Sequence, residues 1–472
     1  MINQAQTREA IVKQLQEAKI DEFKAHFRGN VLLPGHAHYD EVRQIWNAMI
    51  DRRPALIARC ASPEDVVQAL KFARQHNLLV SIRGGGHNIA GNSVCDDGLM
   101  IDLSLMKRVR VYPNARRADV EPGCILADFD AAAQAHGLAT PLGINSTTGV
   151  AGLTLGGGFG WLSRKYGMTI DNLLSANVVT ADGRQVHASE TENSDLFWGL
   201  RGGGGNFGIV TSFEFQLHPV GPDVLSGLIV FPFDQAKSVL TQFARFTETM
   251  PDDLNVWMVT RKAPPLPFLP QDVHGKQIVA LAVCYAGDPA EGEKAIKPLR
   301  GFGKAHGEHI GVQPYTAWQQ AFDPLLTKGA RNYWKSHNFT KLSDGAIDVI
   351  VEFAGKLPSP QTEIFVGTLG GQTTRVAPEA MAYSSRDVNY VMNVHGRWES
   401  AAEDVRCIDW AREFFARSKP FASTGAYINF LTEEETDRIA FAYGATYKRL
   451  VELKKKYDPT NLFRMNQNIK PV

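Results

Sequence analysis

Cysteine is scarce in this chain: five in 472 residues, at Cys60, Cys95, Cys124, Cys284 and Cys407, scattered and never in a CxxC pair. An odd, dispersed set argues against both a disulfide framework and a thiolate metal site. Neither HxH nor HExxH occurs around the most interesting histidine, so no metal centre is expected. No stretch approaches the ~18 apolar residues that a membrane-spanning helix needs. The opening residues, MINQAQTREAIVKQLQEAKI, are polar and helical in pattern with no apolar segment, so no secretory signal is read and a reducing cytoplasm is the expected location. Excess charge is missing too. Fifty Lys+Arg balance fifty Asp+Glu, which argues against nucleic acid or an anionic membrane as partner. Low-complexity tracts and internal repeats are also absent.

What remains is an ordinary globular composition, 44% hydrophobic and 21% charged, in a chain long enough for two or three domains at roughly 150 residues each. Its one irregularity is placement. Of 42 glycines, 22 lie between Gly84 and Gly208.

Along the chain, Ala55–Cys60 reads as a strand. Ser62-Pro63-Glu64-Asp65 then offers an N-cap, a first-turn proline and early acids, opening a helix to about His76. Leu78–Ile82 is a second strand running straight into Arg83-Gly84-Gly85-Gly86-His87-Asn88, which places that loop at a strand's carboxyl end, where open α/β units bind cofactors. Strands at 98–103, 108–112 and 116–121, a helix near 125–136 stopped by Gly137, an Asp182-Gly183 hairpin within 174–189, a helix at 194–200 and an alternating strand at 209–217 follow. Pro219-Val220-Gly221-Pro222 is the best boundary. Beyond it, strands at 225–232, 254–261, 277–285 and 388–394 interleave with helices near 234–249 and 289–300, which suits an α+β unit with a largely antiparallel sheet. Thr432–Glu435 reads as a capping box opening the last helical region, which closes at Asp458-Pro459. Lys454-Lys455-Lys456 reads as a solvated helix face, and Pro264–Pro267 as a loop beside the second unit and a candidate entrance lid.

Three glycine clusters stand out: 83–88, 143–167 (GINSTTGVAGLTLGGGFGWLSRKYG) and 201–210 (RGGGGNFGIV). Without Cβ atoms, backbone N–H groups converge on phosphate or ring oxygens, and three such loops suit a large anionic cofactor lying extended across them. Gly203-x-Gly205-x-x-Gly208 matches the dinucleotide fingerprint as a string only. The expected order there is helix, loop, strand, the reverse of what that fingerprint requires. His87, after three glycines, is a competent neutral nucleophile toward an electrophilic cofactor position.

These residues, with DLFWGLRGGGGNFGIVT and the closing AYGATYKRLVELKKKYDPTNLFRMNQNI, resemble the berberine bridge enzyme-like flavoproteins of the vanillyl-alcohol oxidase superfamily. The resemblance implies a two-domain α+β flavoprotein: a PCMH-type FAD-binding domain over 1–221 (core about 52–221), a substrate domain over 222–425, and 426–472 returning to the first. It implies FAD, with His87 at the position that bonds the flavin 8α-methyl. Many members add a cysteine bond, but Asn145 stands at that position, so a single 8α-histidyl link is expected, as in the monocovalent branch that includes 6-hydroxy-D-nicotine oxidase. FAD contacts are implied for Arg83, Gly84, Gly85, Gly86, His87 and Asn88; for Asn145, Ser146, Thr147, Thr148, Gly149, Gly152, Gly157, Gly158, Gly160 and Ser163; for Asn206, Gly208 and Val210; and for Tyr427, Asn429, Asn466 and Asn468.

Flavin accepts the hydride while a protein base takes the hydroxyl or amine proton. Tyr427 falls at the family's tyrosine position, where a nearby cation or flavin edge would lower the phenol's pKa; packing on the flavin is the equal alternative. Alternation along 389–395 puts Val391, Asn393 and His395 on one face. Asn393 replaces a family Glu or Gln and cannot act as a base; His395 titrates in a useful range. Phe159 stands where several plant members have tyrosine. Thr148, at the oxygen-gating position, does not close the site, which favours an oxidase with molecular oxygen as acceptor acting on a secondary alcohol, sugar or cyclic amine. A dehydrogenase or cyclising oxidase with another acceptor, and a flavin-binding protein with decayed catalysis, are the alternatives. Substrate identity and oligomeric state are not legible.

Overall fold

The computed structural model describes residues 17–423 and 425–472; residues 1–16, the start of the expected helical lead-in over 1–50, lie outside them. The first sheet has Leu56–Arg59 and Val80–Arg83 both parallel to a central Leu99–Asp102, with Asn30–Leu32 antiparallel at the outer edge. Helix Pro63–Gln75 crosses between the two parallel strands. As expected, Ser62 Oγ accepts the Asp65 N–H at 3.3 Å. A second, antiparallel sheet runs in the order Val109–Tyr112, Arg117–Val120, Ile209–Gln216, Leu173–Val179, Gln185–Ser189. Helix Leu126–Gln134 packs on it and ends before Gly137, whose φ of 64° needs no Cβ.

Residues 223–398 build a seven-stranded antiparallel sheet in the order Gly307–Pro314, Asp223–Pro232, Gln277–Tyr285, Leu254–Lys262, Glu363–Thr368, Tyr390–Trp398, Arg331–Phe339. Three of these strands, at 307–314, 331–339 and 363–368, are absent from the sequence reading, as are helices Asp344–Ala354 and Asp404–Ser418. For Glu363–Thr368 the physical reason is burial on both faces. Every residue of Glu363–Thr368 is buried, so the period-two signature of a half-exposed strand is erased. One face carries Val256, Met258, Ile364, Val366, Met392 and Val394 into a core with helices Ala236–Thr247, Asp344–Ala354 and Asp404–Ser418. The opposite face presents Trp257, Phe365 and Val391 to Phe159, Trp161 and Tyr427 of the glycine-rich half.

Three local expectations are corrected. Lys454 is fully buried, not solvated: its ammonium donates to Asn206 O and Phe463 O, both at 2.8 Å, and to Asp458 Oδ2 at 2.6 Å. Only Lys455 and Lys456 reach solvent. At Thr432, the side chain and N–H both donate to Glu435 Oε2, so the reciprocal half of a capping box is missing, and the α-helix starts later, at Ile439. The Pro264–Pro267 loop packs beside Val230, Val273 and Ile278 rather than at the cavity mouth. Among the described residues, no helix is long and apolar enough to cross a membrane.

Candidate flavin and active site

A cleft runs between the glycine-rich half and the seven-stranded sheet. Its floor begins where strand Val80–Arg83 ends. Gly84, Gly85 and Gly86 line it there, and Gly85 passes so close to Gly149 that a Cβ on Gly85 would sit 2.4 Å from the Gly149 backbone. No side chain fits at that crossing, so the clusters at 83–88 and 143–149 are held together by glycine.

His87 sits on this floor with its ring over Trp46, centroids 5.2 Å apart. Its Nε2 lies 3.0 Å from Thr147 Oγ1, and Thr147 Oγ1 in turn lies 2.6 Å from Asn145 Oδ1. Asn145 Oδ1 also takes the Thr147 N–H at 3.0 Å, which identifies that atom as the acceptor. The single hydroxyl hydrogen of Thr147 is therefore given to Asn145, and toward His87 the hydroxyl accepts. It follows that Nε2 carries the ring hydrogen and Nδ1 keeps the lone pair. Burial, with a further push from Lys328, takes His87 down to about 3, so the ring is neutral near pH 7.

Of the remaining sequence-predicted contacts, Asn88, Asn145, Thr148, Gly149, Gly152, Gly208, Val210, Asn429 and Asn466 lie on the cleft wall with those already named. Others do not, for identifiable reasons. Arg83 is clamped on buried Asp102 through Nε and Nη2 at 3.0 and 3.1 Å. Ser146 is tied to Asp323 through its N–H at 2.9 Å and its hydroxyl at 2.5 Å. Gly157, Gly158, Gly160 and Ser163 serve close packing: Gly158 N–H donates to Tyr427 Oη, Gly160 N–H to Ser163 Oγ, and a Cβ on Gly160 would lie 2.0 Å from Leu142 O. Asn206 bonds Gly203 O, Gln467 O and the Ile469 N–H, and Asn468 lies off the wall with it. Around the rejected fingerprint, helix Ser194–Leu200 precedes and strand Ile209–Gln216 follows; Gly204, Gly205 and Gly208 line the cleft all the same.

Aromatic rings form the facing walls: Trp257, Trp334 and Phe365 from the sheet, and Phe159, Tyr427 and Phe430 from the glycine-rich half. Tyr427 Oη accepts hydrogen bonds from Gly158 N–H and Asn429 Nδ2, both at 3.0 Å. Burial nonetheless pushes the phenol up to about 12, against the lowering expected from sequence. Asn393 is fully buried in register between Ser336 and Phe365, its amide without a partner among the described residues, and it is not among the residues that line the cleft. His395 does. Its Nδ1 lies 3.0 Å from Glu363 Oε1, and Glu363 Oε2 takes Arg261 Nη1 at 2.7 Å. Sequence reasoning missed Glu363 and Arg261, because their adjacency is made by strand pairing across about 100 residues of chain.

Two family models match the chain: an FAD binding domain over residues 54–189 and a berberine and berberine-like segment over 426–470. The (R)-6-hydroxynicotine oxidase of Paenarthrobacter nicotinovorans is 31% identical over 458 residues, 94% of this chain and 97% of that one. The chain is a berberine bridge enzyme-like FAD-linked oxidoreductase. Among solved structures, 6-hydroxy-D-nicotine oxidase from Arthrobacter nicotinovorans matches this oxidoreductase with a TM-score of 0.84 at 28% identity, over 94% of this chain and 98% of that one. Xylooligosaccharide oxidase from Myceliophthora thermophila gives 0.83 at 26% identity, over 96% and 99%.

The cleft of this FAD-linked oxidoreductase suits that cofactor chemically. Gly152 and Gly205 face open space where a Cβ would stand, so backbone is free to meet a ligand closely. Ser93 Oγ and Asn466 Oδ1 on that side, and Trp334 Nε1 on the facing sheet, are buried along the cleft with no partner among the described residues, and polar atoms in that state call for a ligand's donors and acceptors.

Proposed function

We propose that this oxidoreductase is an oxidase that removes a hydride from a C–H of a secondary alcohol, a sugar or a cyclic amine, with FAD held by one covalent bond from His87 and molecular oxygen as acceptor. In this reading, residues 1–221 with 426–472 bind FAD and 222–425 shape the substrate pocket. When bound, flavin supplies a two-electron acceptor that no side chain can provide.

The observation that carries the covalent link is the hydrogen-bond chain His87–Thr147–Asn145, which leaves Nδ1 of a neutral imidazole as the nucleophilic nitrogen. Asn145, by accepting from Thr147, takes part in orienting that histidine. All five cysteines are buried and none lies on the cleft wall, which supports a single attachment. Thr148 lines the cleft with the floor glycines, and its small side chain is in keeping with access for oxygen. The ring-lined walls suit a substrate with a flat or saturated ring that stacks between Trp334, Trp257 and Phe365.

Acid precipitation tests the link. The wild-type precipitate should stay yellow, and His87→Ala should release its flavin; colour released from the wild type would overturn the attachment. An anaerobic screen of hydroxylated pyridines, cyclic secondary amines, alditols, xylobiose and chitobiose, read by flavin bleaching, tests the activity. One peroxide per turnover in air is the result expected of an oxidase.

A further inference from the structure

The sheet side of the cleft carries a polar chain that crosses three strands. Trp334, His395 and Glu363 are in register on adjacent strands, and Arg261 stands one residue beyond the paired Thr260 and Ile364 on the next. His395 stacks on Trp334 with centroids 4.3 Å apart and meets the edge of Phe365 at 4.8 Å, so its ring is fixed in a slot. Glu363 is held below the usual carboxylate range: burial pushes it up, but Arg261 and the hydrogen bond from His395 outweigh burial. An ionised carboxylate only accepts hydrogen bonds. The His395 Nδ1 therefore carries the hydrogen, and Nε2 keeps a lone pair with no protein partner among the described residues.

We propose, resting on the function above, that His395 Nε2 is the proton acceptor of the reaction, and that Glu363 and Arg261 are positioning residues that fix its tautomer. Oxidising a CH–OH or CH–NH centre removes two electrons and one hydrogen nucleus as hydride, and one proton. The hydride goes to the flavin; the proton goes from the substrate oxygen or nitrogen to His395 Nε2, giving an imidazolium bonded to Glu363, and leaves to solvent after product departs. The competitors are weaker. The Tyr427 phenol receives two hydrogen bonds that hold Gly158 and Asn429 in place, Asn393 is off the cleft and not basic, and His87 is committed to the flavin.

A protonated His395 cannot accept, so bleaching slows on the acid side. The charged groups around it are Glu363 and Arg261 on the neighbouring strands and Arg397 two residues along its own, and His87 and Tyr427 line the same cleft. The test is the pH profile of anaerobic flavin bleaching in the holoenzyme, with the most effective compound of the screen. Expected are a wild-type rate that falls toward acid and a ~100-fold or greater loss in His395→Gln, with half-saturating substrate changed by less than about threefold. Glu363→Gln should lose ~10-fold or more with its acid limb displaced, and Glu363→Asp should regain part of both. A purely structural role would lower melting temperature and leave the limb in place. A flat wild-type profile, His395→Gln bleaching within about threefold of wild type, or Glu363→Gln with an unmoved limb would each overturn the proposal.

A second measurement needs no substrate. In 15N-histidine-labelled holoenzyme, one neutral ring with its hydrogen on Nδ1 should vanish in His395→Gln and change in Glu363→Gln; a hydrogen on Nε2 overturns the proposal. Failure of the function reading shows differently, as wild-type protein that is colourless or bleached by none of the compounds, with the histidine tautomer still read by this measurement.

Discussion

The glycine-rich half and the seven-stranded sheet face each other across one cleft, yet each builds its wall by a different principle. On the first side the wall is backbone: Gly85 against Gly149, and open space beside Gly152 and Gly205. Side chains there act mainly as anchors, as Arg83 does on Asp102, or Lys454 on Asn206 O, Asp458 and Phe463 O. On the sheet side the backbone is fully engaged in ladders, and the wall is side chains at alternate positions: Trp257, Phe365, Trp334 and His395. One wall is thus made by removing Cβ atoms, and the other by choosing side chains.

The comparison breaks most visibly at the anchor. Lys454→Met leaves Asp458 buried without its cation, and about 3–5 kcal/mol of stability should go with it, read by denaturant titration; a variant as stable as wild type would show that the C-terminal anchor is dispensable. Next comes the crossing. Gly85→Ala forces the Gly149 backbone aside and should cost about 1–3 kcal/mol together with most bound flavin, measured by absorbance per protein. Its counterpart Gly311→Ala, on the edge strand where a Cβ meets nothing, should leave both unchanged. Loss of flavin from both variants would erase the contrast.

The smallest effect lies at the seam. Asp130, on helix Leu126–Gln134, is buried and receives Gln319 Nε2 at 3.0 Å from the sheet side. Burial raises its carboxyl to about 7. A folded-state pKa above the unfolded value means the favourable contribution is complete below the unfolded carboxylate range and is lost as pH rises through about 7. Asp130→Asn should flatten that loss, raising thermal stability at pH 8 by a few degrees relative to wild type and by less at pH 5. Equal shifts at both pH values would count against the titration.

How much was legible follows from the same contrast. Glycine clusters, the helix capped by Ser62 and the hairpin at Asp182-Gly183 are local signals, each set by a few neighbouring residues, and they stand in the structure where the chain places them. Lys454 defeated local reading because a KKK run looks solvated unless the carbonyls of Asn206 and Phe463 are known to converge on its first member. Glu363 defeated it because its strand is buried on both faces and shows no alternation.

By itself, then, the sequence determined the glycine loops, the histidine among them, the α+β class and the family, because these rest on residue type and short spacing. Only the tertiary structure decided which ring nitrogen of His87 carries the hydrogen, which predicted contacts reach the cleft, and which carboxylate stands behind His395. Each of those depends on atoms brought within 3 Å by pairing and packing of residues far apart in the chain, and no local pattern encodes that distance.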